Sequence, residues 1–233
     1  LVKSAVVARF SGATRVIGFT KPFLREPWAK WLYREEADPG SPIHVVDRNL
    51  GILTALNIKD RNYTFPFELV DIAVVDEIYV RLGSRNNPFV LLNPNAAWVN
   101  KCWPAESFGA VATYIRDRYG LRTVVVWNSS SQEDEARMHL VVASSDGAAV
   151  SAPPTTLVQL ASVIKAGVLF ISGDTGPLHI AGALGTPVVG IYGPSNPERN
   201  GPWSSRDEVV SASGGCQCLK RYPHRGAVGV ARR

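Results

Sequence analysis

Between positions 172 and 179 the chain runs Ser-Gly-Asp-Thr-Gly-Pro-Leu-His. These residue types suit a ligand site. Asp174 and His179 can exchange hydrogen bonds, and Thr175 offers a hydroxyl. Gly176 lets a ligand approach the backbone. Pro177 suits the first turn of a helix, and the free N–H groups of such a turn favour phosphate. Two other polar stretches carry charges that could serve the same ligand: Lys101 in the stretch from Asn93 to Trp103, and Glu133 in the stretch from Asn128. A lysine near a helix amino terminus suits a pyrophosphate, and a neighbouring carboxylate suits ribose hydroxyls. The implied chemistry is recognition of a nucleotide or nucleotide-sugar. Neither G-x-G-x-x-G nor G-x-x-x-x-G-K-[ST] occurs, which argues against dinucleotide and P-loop sites.

Each of these residues also has a plainer role. Asp174 could cap the following helix, Thr175 could close a local turn, His179 could be a core histidine, and Lys101 could be a solvated loop residue. What favours a site is the set of elements that must carry them. Phe89–Leu92, Thr123–Trp127, Val168–Ile171 and Val188–Tyr192 have the apolar character of buried strands, and Ala148–Val150 that of a shorter one. Helices are expected over Ala105–Arg118, Gln132–Ser144, Thr155–Ala166 and Leu178–Leu184. Strand and helix alternate over 88–192, which implies a parallel, doubly wound sheet with its βα loops on one edge. Gly193–Pro197 is expected to be a loop.

The upstream part is less regular. A helix is expected over Leu1–Phe10 with Val2, Ala5, Val6 and Phe10 on one side, then a strand over Arg15–Phe19. Entry through a helix into a strand is the pattern of half a larger α/β unit. Pro27 should start a helix in which Trp28, Trp31 and Leu32 share one face packed on the core. The alternative is a basic-aromatic surface, with Lys21, Arg25, Lys30 and Arg34, for an anionic or membrane-bound partner. A further helix is expected over His44–Leu56, with His44 at the surface or as a cap. Residues 57–87 are polar and broken, with one helix near Val70–Leu82, and fit an interdomain linker. The expected division is therefore 1–82 and 83–233.

Composition narrows the classes further. The 233 residues are 45% hydrophobic, enough for a real core. No run approaches the length of a membrane span, and the first residues lack a signal-peptide core. The net charge of +5 equals the five Lys and Arg of 219–233, a stretch without acids. The basic balance thus belongs to the tail and does not indicate a nucleic-acid surface. Three cysteines suit a reducing compartment, and Cys216-Gln217-Cys218 without a second pair fits free thiols better than a metal set.

The run Ser172 to Ala181, with Gly185-Thr186-Pro187 and Tyr192-Gly193-Pro194-Ser195-Asn196-Pro197, resembles the signature of glycosyltransferase family 9. Leu92-Asn93-Pro94-Asn95-Ala96-Ala97-Trp98, Lys101 and Trp103-Pro104 are similar to another loop of that family. Leu1-Val2-Lys3-Ser4-Ala5 and Arg25-Glu26-Pro27 resemble its lipopolysaccharide heptosyltransferase I branch. The resemblance implies an α/β fold of GT-B type, with two Rossmann-like domains, the first incomplete here. It implies a nucleotide-sugar donor, ADP-heptose, held by Asp174, Thr175, Gly176, Leu178, His179, Glu133 or its neighbour Gln132, and the loop at Ala96 and Ala97. Relatives often carry hydroxyls at those two alanines. Lys101 would be catalytic, neutralising phosphate as the leaving group departs. Arg25 and Lys3 would face a Kdo-lipid A acceptor.

The resemblance further implies inverting heptose transfer with no cofactor and no bound metal. The enzyme would be monomeric and cytoplasmic, peripheral on the inner face of the inner membrane. The family's general base would lie upstream of Leu1, and the 233-residue chain would be a fragment that binds nucleotide weakly without turnover. Two alternatives are a non-catalytic nucleotide-sugar-binding module and a nucleotide-sugar epimerase. The latter would need additional acid/base residues in the later loops, where few are present.

Overall fold

The structure, a computed structural model, describes residues 1–41, 44–58, 63–66, 73–85 and 87–211. Part of the expected linker and the tail holding Cys216, Cys218 and the basic run lie outside them. The chain divides into two compact units, one over Leu1–Tyr63 and the other from Thr64 onward.

The first unit starts with helix α1 (Val2–Phe10), followed by strands β1 (Ile17–Phe19) and β2 (Glu35–Ala37), which pair in parallel. Arg15 holds both Glu35 carboxylate oxygens, at 2.7 and 2.6 Å. The expected apolar face of α1 is not covered: of its residues only Ala5 is buried, and Phe10 is exposed. The segment from Pro27 is a 3-10 helix (Pro27–Leu32), not the expected amphipathic α-helix. At three residues per turn, positions three apart eclipse. Trp28 and Trp31 therefore share one edge, each 77% exposed, while Ala29 turns inward and is fully buried. The core-packed expectation for the tryptophans fails for this reason. Helix α2 (Val45–Leu50) passes into a 3-10 turn (Gly51–Leu56). His44 caps α2 through Nδ1, which accepts from the Val46 N–H, and it is buried rather than at the surface.

The second unit begins with helix α3 (Ala73–Leu82), the helix expected within the linker. Val74, Ile78 and Leu82 recur every four residues and are buried in the core of this unit, where α3 packs on α6 (Leu157–Ala166). Tyr79 meets Phe89 edge-on at 5.7 Å between centroids. The helix that the sequence division assigned to residues 1–82 thus belongs, by its packing, to the second unit. Strands β3 (Phe89–Asn93), β4 (Arg122–Val125), β5 (Ala149–Ser151), β6 (Leu169–Gly173), β7 (Val188–Tyr192) and β8 (Glu208–Ser211) form one parallel sheet. Its order is β5-β4-β3-β6-β7-β8. That is the doubly wound order, with the switch point between β3 and β6. Helices α4 (Ala105–Tyr119), α5 (Gln132–Ala143) and α7 (Gly176–Leu184) complete the crossovers with α6. Two hydrophobic clusters share the strands: one holds α3, α6 and α7 residues, the other α4 and α5 residues.

Strands β2 and β8 and one short helix escaped the sequence reading. Strand β8 alternates partly buried and exposed residues at the sheet edge, so it lacks the apolar run of the inner strands. Helix α8 (Pro197–Asn200) is a single turn after the expected loop, capped by Asn196.

Helices α4 and α5 touch closely at Gly109. A Cβ there would stand 2.9 Å from the Ser144 carbonyl carbon, a backbone atom that cannot swing aside. Gly109→Ala is expected to destabilise the second unit by about 1–3 kcal/mol through overpacking, read as a lower urea midpoint.

Candidate functional site

At the carboxyl edge of the sheet the chain forms a cleft of about 800 Å³. Four βα loops line it. The loop after β3 contributes Asn93, Asn95, Ala96, Ala97, Trp98 and Lys101. The loop after β4 contributes Trp127, Asn128, Glu133 and Asp134, and that after β6 contributes Asp174 to Pro177 and His179. The fourth wall, Thr155, Thr156, Leu157 and Leu160, was not foreseen. Its signal was present: Thr156 and Gln159 form a capping box at the start of α6, in the connection that follows β5.

The floor of the cleft is a buried polar network. Asn93 and Ser172 are register partners at the ends of β3 and β6. The Asn93 amide donates to Ser172 Oγ at 3.1 Å and to Thr175 Oγ1 at 3.2 Å, and the two hydroxyls lie 3.0 Å apart. Thr175 Oγ1 also accepts from the Leu178 N–H, so Thr175, not Asp174, caps α7. Leu178 itself is buried in the core, and its side chain does not line the cleft.

Relieved of capping, Asp174 holds a different set of partners. Lys101 Nζ donates to its Oδ2 at 2.7 Å, and His179 Nε2 lies 3.4 Å from Oδ1. The carboxylate is 8% exposed and Lys101 27%. Burial would raise the Asp174 pKa, but hydrogen bonds from His179, Lys101 and Ser195 outweigh it and hold the carboxyl well below its ordinary value. Ser195 lies in the loop after β7 and was not among the expected site residues. Gly173 permits this meeting of loops, since a Cβ there would stand 3.2 Å from the Lys101 carbonyl oxygen. The structure thus brings Lys101, Asp174, Thr175, Gly176, His179, Ala96, Ala97 and Glu133 to one cleft. Of the pair left open for the ribose, Glu133 lines it and Gln132 does not. Lys3 and Arg25 belong to the first unit, where the Val2 N–H donates to Glu26 Oε2 at 2.6 Å and brings their segments together. Both are exposed.

Further polar groups complete the cleft. Burial raises the pKa of Asp134, partly offset by Arg137 and by the Ser131 hydroxyl. Arg137 also donates to Asn95 Oδ1 at 3.2 Å. The Asn95 side-chain nitrogen is buried with no acceptor among the described residues. No three His, Cys, Asp or Glu side chains cluster as a metal set among the described residues. No described helix is long and apolar enough to cross a membrane.

Fold and site together define a doubly wound α/β unit with a lysine beside a helix amino terminus at its switch point. The chain belongs to glycosyltransferase family 9 (heptosyltransferase), whose sequence profile matches residues 1–225. Lipopolysaccharide heptosyltransferase 1 of Pseudomonas aeruginosa is 27% identical over 95% of this chain and 60% of its own length. A family 9 glycosyl transferase from Veillonella parvula superposes with a TM-score of 0.75 at 25% identity, over 91% of this chain and 60% of that one. The E. coli heptosyltransferase WaaC with ADP gives 0.69 at 24% identity, over 92% and 64%. The fold is the GT-B type of these enzymes. The chain spans 60% of the length of the P. aeruginosa relative.

The Asp174 shift sets a pH dependence. Unfolded, this carboxyl titrates near its ordinary value of 3.8. Below that value the unfolded chain takes up the proton first. The stability that the charged form contributes is complete above 3.8 and is lost as pH falls toward the folded value. In urea titrations between about pH 6 and pH 3, Asp174→Asn should lose stability less steeply than the parent chain. Equal slopes would show that the carboxylate is not held by its partners.

Proposed function

We propose that the full protein is a glycosyltransferase that moves a heptose from ADP-heptose to the Kdo-lipid A inner core of lipopolysaccharide, with inversion. Family membership supports the class of reaction. The observation that carries the donor assignment is the Lys101–Asp174 pair beside the amino terminus of α7. A diphosphate placed there would take a hydrogen bond from the Gly176 N–H, since Pro177 has none and Thr175 holds that of Leu178, and its counter-charge from Lys101. Because Asp174 already holds Lys101, the ammonium is positioned before a ligand arrives. Lys101 would then offset the charge that develops on the departing nucleoside diphosphate.

In the same reading, Glu133 meets the ribose at the rim of the cleft. Trp127, Leu157 and Leu160 offer apolar surface that an adenine could cover. Thr175 acts by capping and by fixing the loop, and Gly176 leaves the backbone open to the phosphates. Arg25 and Lys3 serve the phosphorylated acceptor. The proposed enzyme is a monomer, uses no cofactor or bound metal, and works in the cytoplasm against the inner face of the inner membrane.

Calorimetry on the 233-residue chain tests the donor half. ADP should bind, and Lys101→Ala should weaken ADP by about tenfold to a hundredfold, as expected for loss of a charge-assisted contact, while adenosine affinity stays unchanged. Equal losses for ADP and adenosine would remove the diphosphate role from Lys101. Stronger binding of UDP or GDP than of ADP would overturn the donor.

A further inference from the structure

The first unit carries a feature that nucleotide binding does not use. Trp28 and Trp31 project from one edge of a 3-10 turn, each 77% exposed. Ala29, between them in sequence, is fully buried, so the turn is seated on the unit through its opposite edge. Its ends are fixed as well. Glu26, at its start, accepts the Val2 N–H at 2.6 Å. Arg34, just after it, donates to the Thr14 carbonyl at 3.0 Å, and Lys30 pairs with Glu36 at 3.2 Å. The two indoles are therefore presented by an anchored turn.

Charge surrounds them unevenly. From Thr20 to Arg34 the chain has four cations, Lys21, Arg25, Lys30 and Arg34, and one acid, Glu26. Glu26 is engaged with the α1 backbone. Lys21 and Arg25 are exposed and have no acceptor among the described residues, and the same holds for Lys3 beside Val2. An indole has an apolar body and one N–H, which suits the depth of lipid headgroups. Basic residues beside it are attracted to anionic headgroups.

From this charge complementarity we infer that the Trp28–Trp31 edge, flanked by Lys21 and Arg25, is a docking surface for an anionic lipid bilayer. The inference deepens the peripheral membrane placement proposed above and rests on that placement alone. Nucleotide binding at the Lys101 cleft holds or fails separately.

Flotation of the 233-residue chain with vesicles tests it, using phosphatidylglycerol mixed into phosphatidylcholine against phosphatidylcholine alone. No sugar acceptor is present in either. The chain should float with the anionic vesicles and about tenfold less with the neutral ones. Trp28→Ser/Trp31→Ser should reduce anionic binding about tenfold with an unchanged thermal melt and unchanged ADP binding. Lys21→Glu/Arg25→Glu should reduce it similarly, and this second variant decides the matter if the first melts early. Undiminished binding by the tryptophan variant, when it is folded, overturns the inference. So does equal binding to neutral vesicles. A parent chain that self-associates where the tryptophan variant is monomeric also overturns it, by assigning the edge to a second copy.

Discussion

The second unit depends on how the ends of β3 and β6 are joined. These two strands meet at the switch point, where the connections turn in opposite directions and the sheet edge opens. Polar side chains there cannot all reach water. Asn93 and Ser172 solve this by bonding to each other and to Thr175 across the strand pair. An unmet polar group in this position would cost about 1–3 kcal/mol. The network therefore selects one arrangement of the two loops. Thr175 is placed to cap α7, and the next side chain back, Asp174, is turned toward Lys101.

That arrangement explains why a carboxylate sits beside a proposed diphosphate site. On charge alone Asp174, Glu133 and Asp134 disfavour an anion. Asp174, however, is already neutralised by Lys101 and supported by His179 and Ser195. Its effect is to hold a lysine whose four-carbon stem would otherwise sample many positions. The aspartate thus acts on a ligand through the lysine as much as by contact. Asn95 shows a related economy. Arg137 secures its carbonyl oxygen, and among the described residues the amide donors meet no acceptor.

The first unit obeys a different constraint. Its strands are three residues long and its connections are largely 3-10 turns. A 3-10 turn eclipses every third residue, so it divides its side chains more sharply than an α-helix does. This is why small Ala29 is buried while two tryptophans are left out. The same residues on an α-helix would have formed one apolar stripe with Leu32.

By itself the sequence determined the alternation of strands and helices over 88–192, the parallel doubly wound class, and the family. It also named three of the four loops that line the cleft. Those features are local or arise from topology: buried strands are apolar runs, and all βα loops of such a sheet open on one edge. Only the tertiary structure decided the rest. Whether Asp174 or Thr175 caps α7 depends on Asn93, 82 residues from Thr175 in the chain. The wall at Thr155–Leu160, the support of Asp174 by Ser195 and the packing of α3 with the second unit also rest on contacts between elements that are not adjacent in the chain. Pairing across the fold is set by the register of β3 on β6 and by side-chain packing, and neither leaves a periodic signal along the chain.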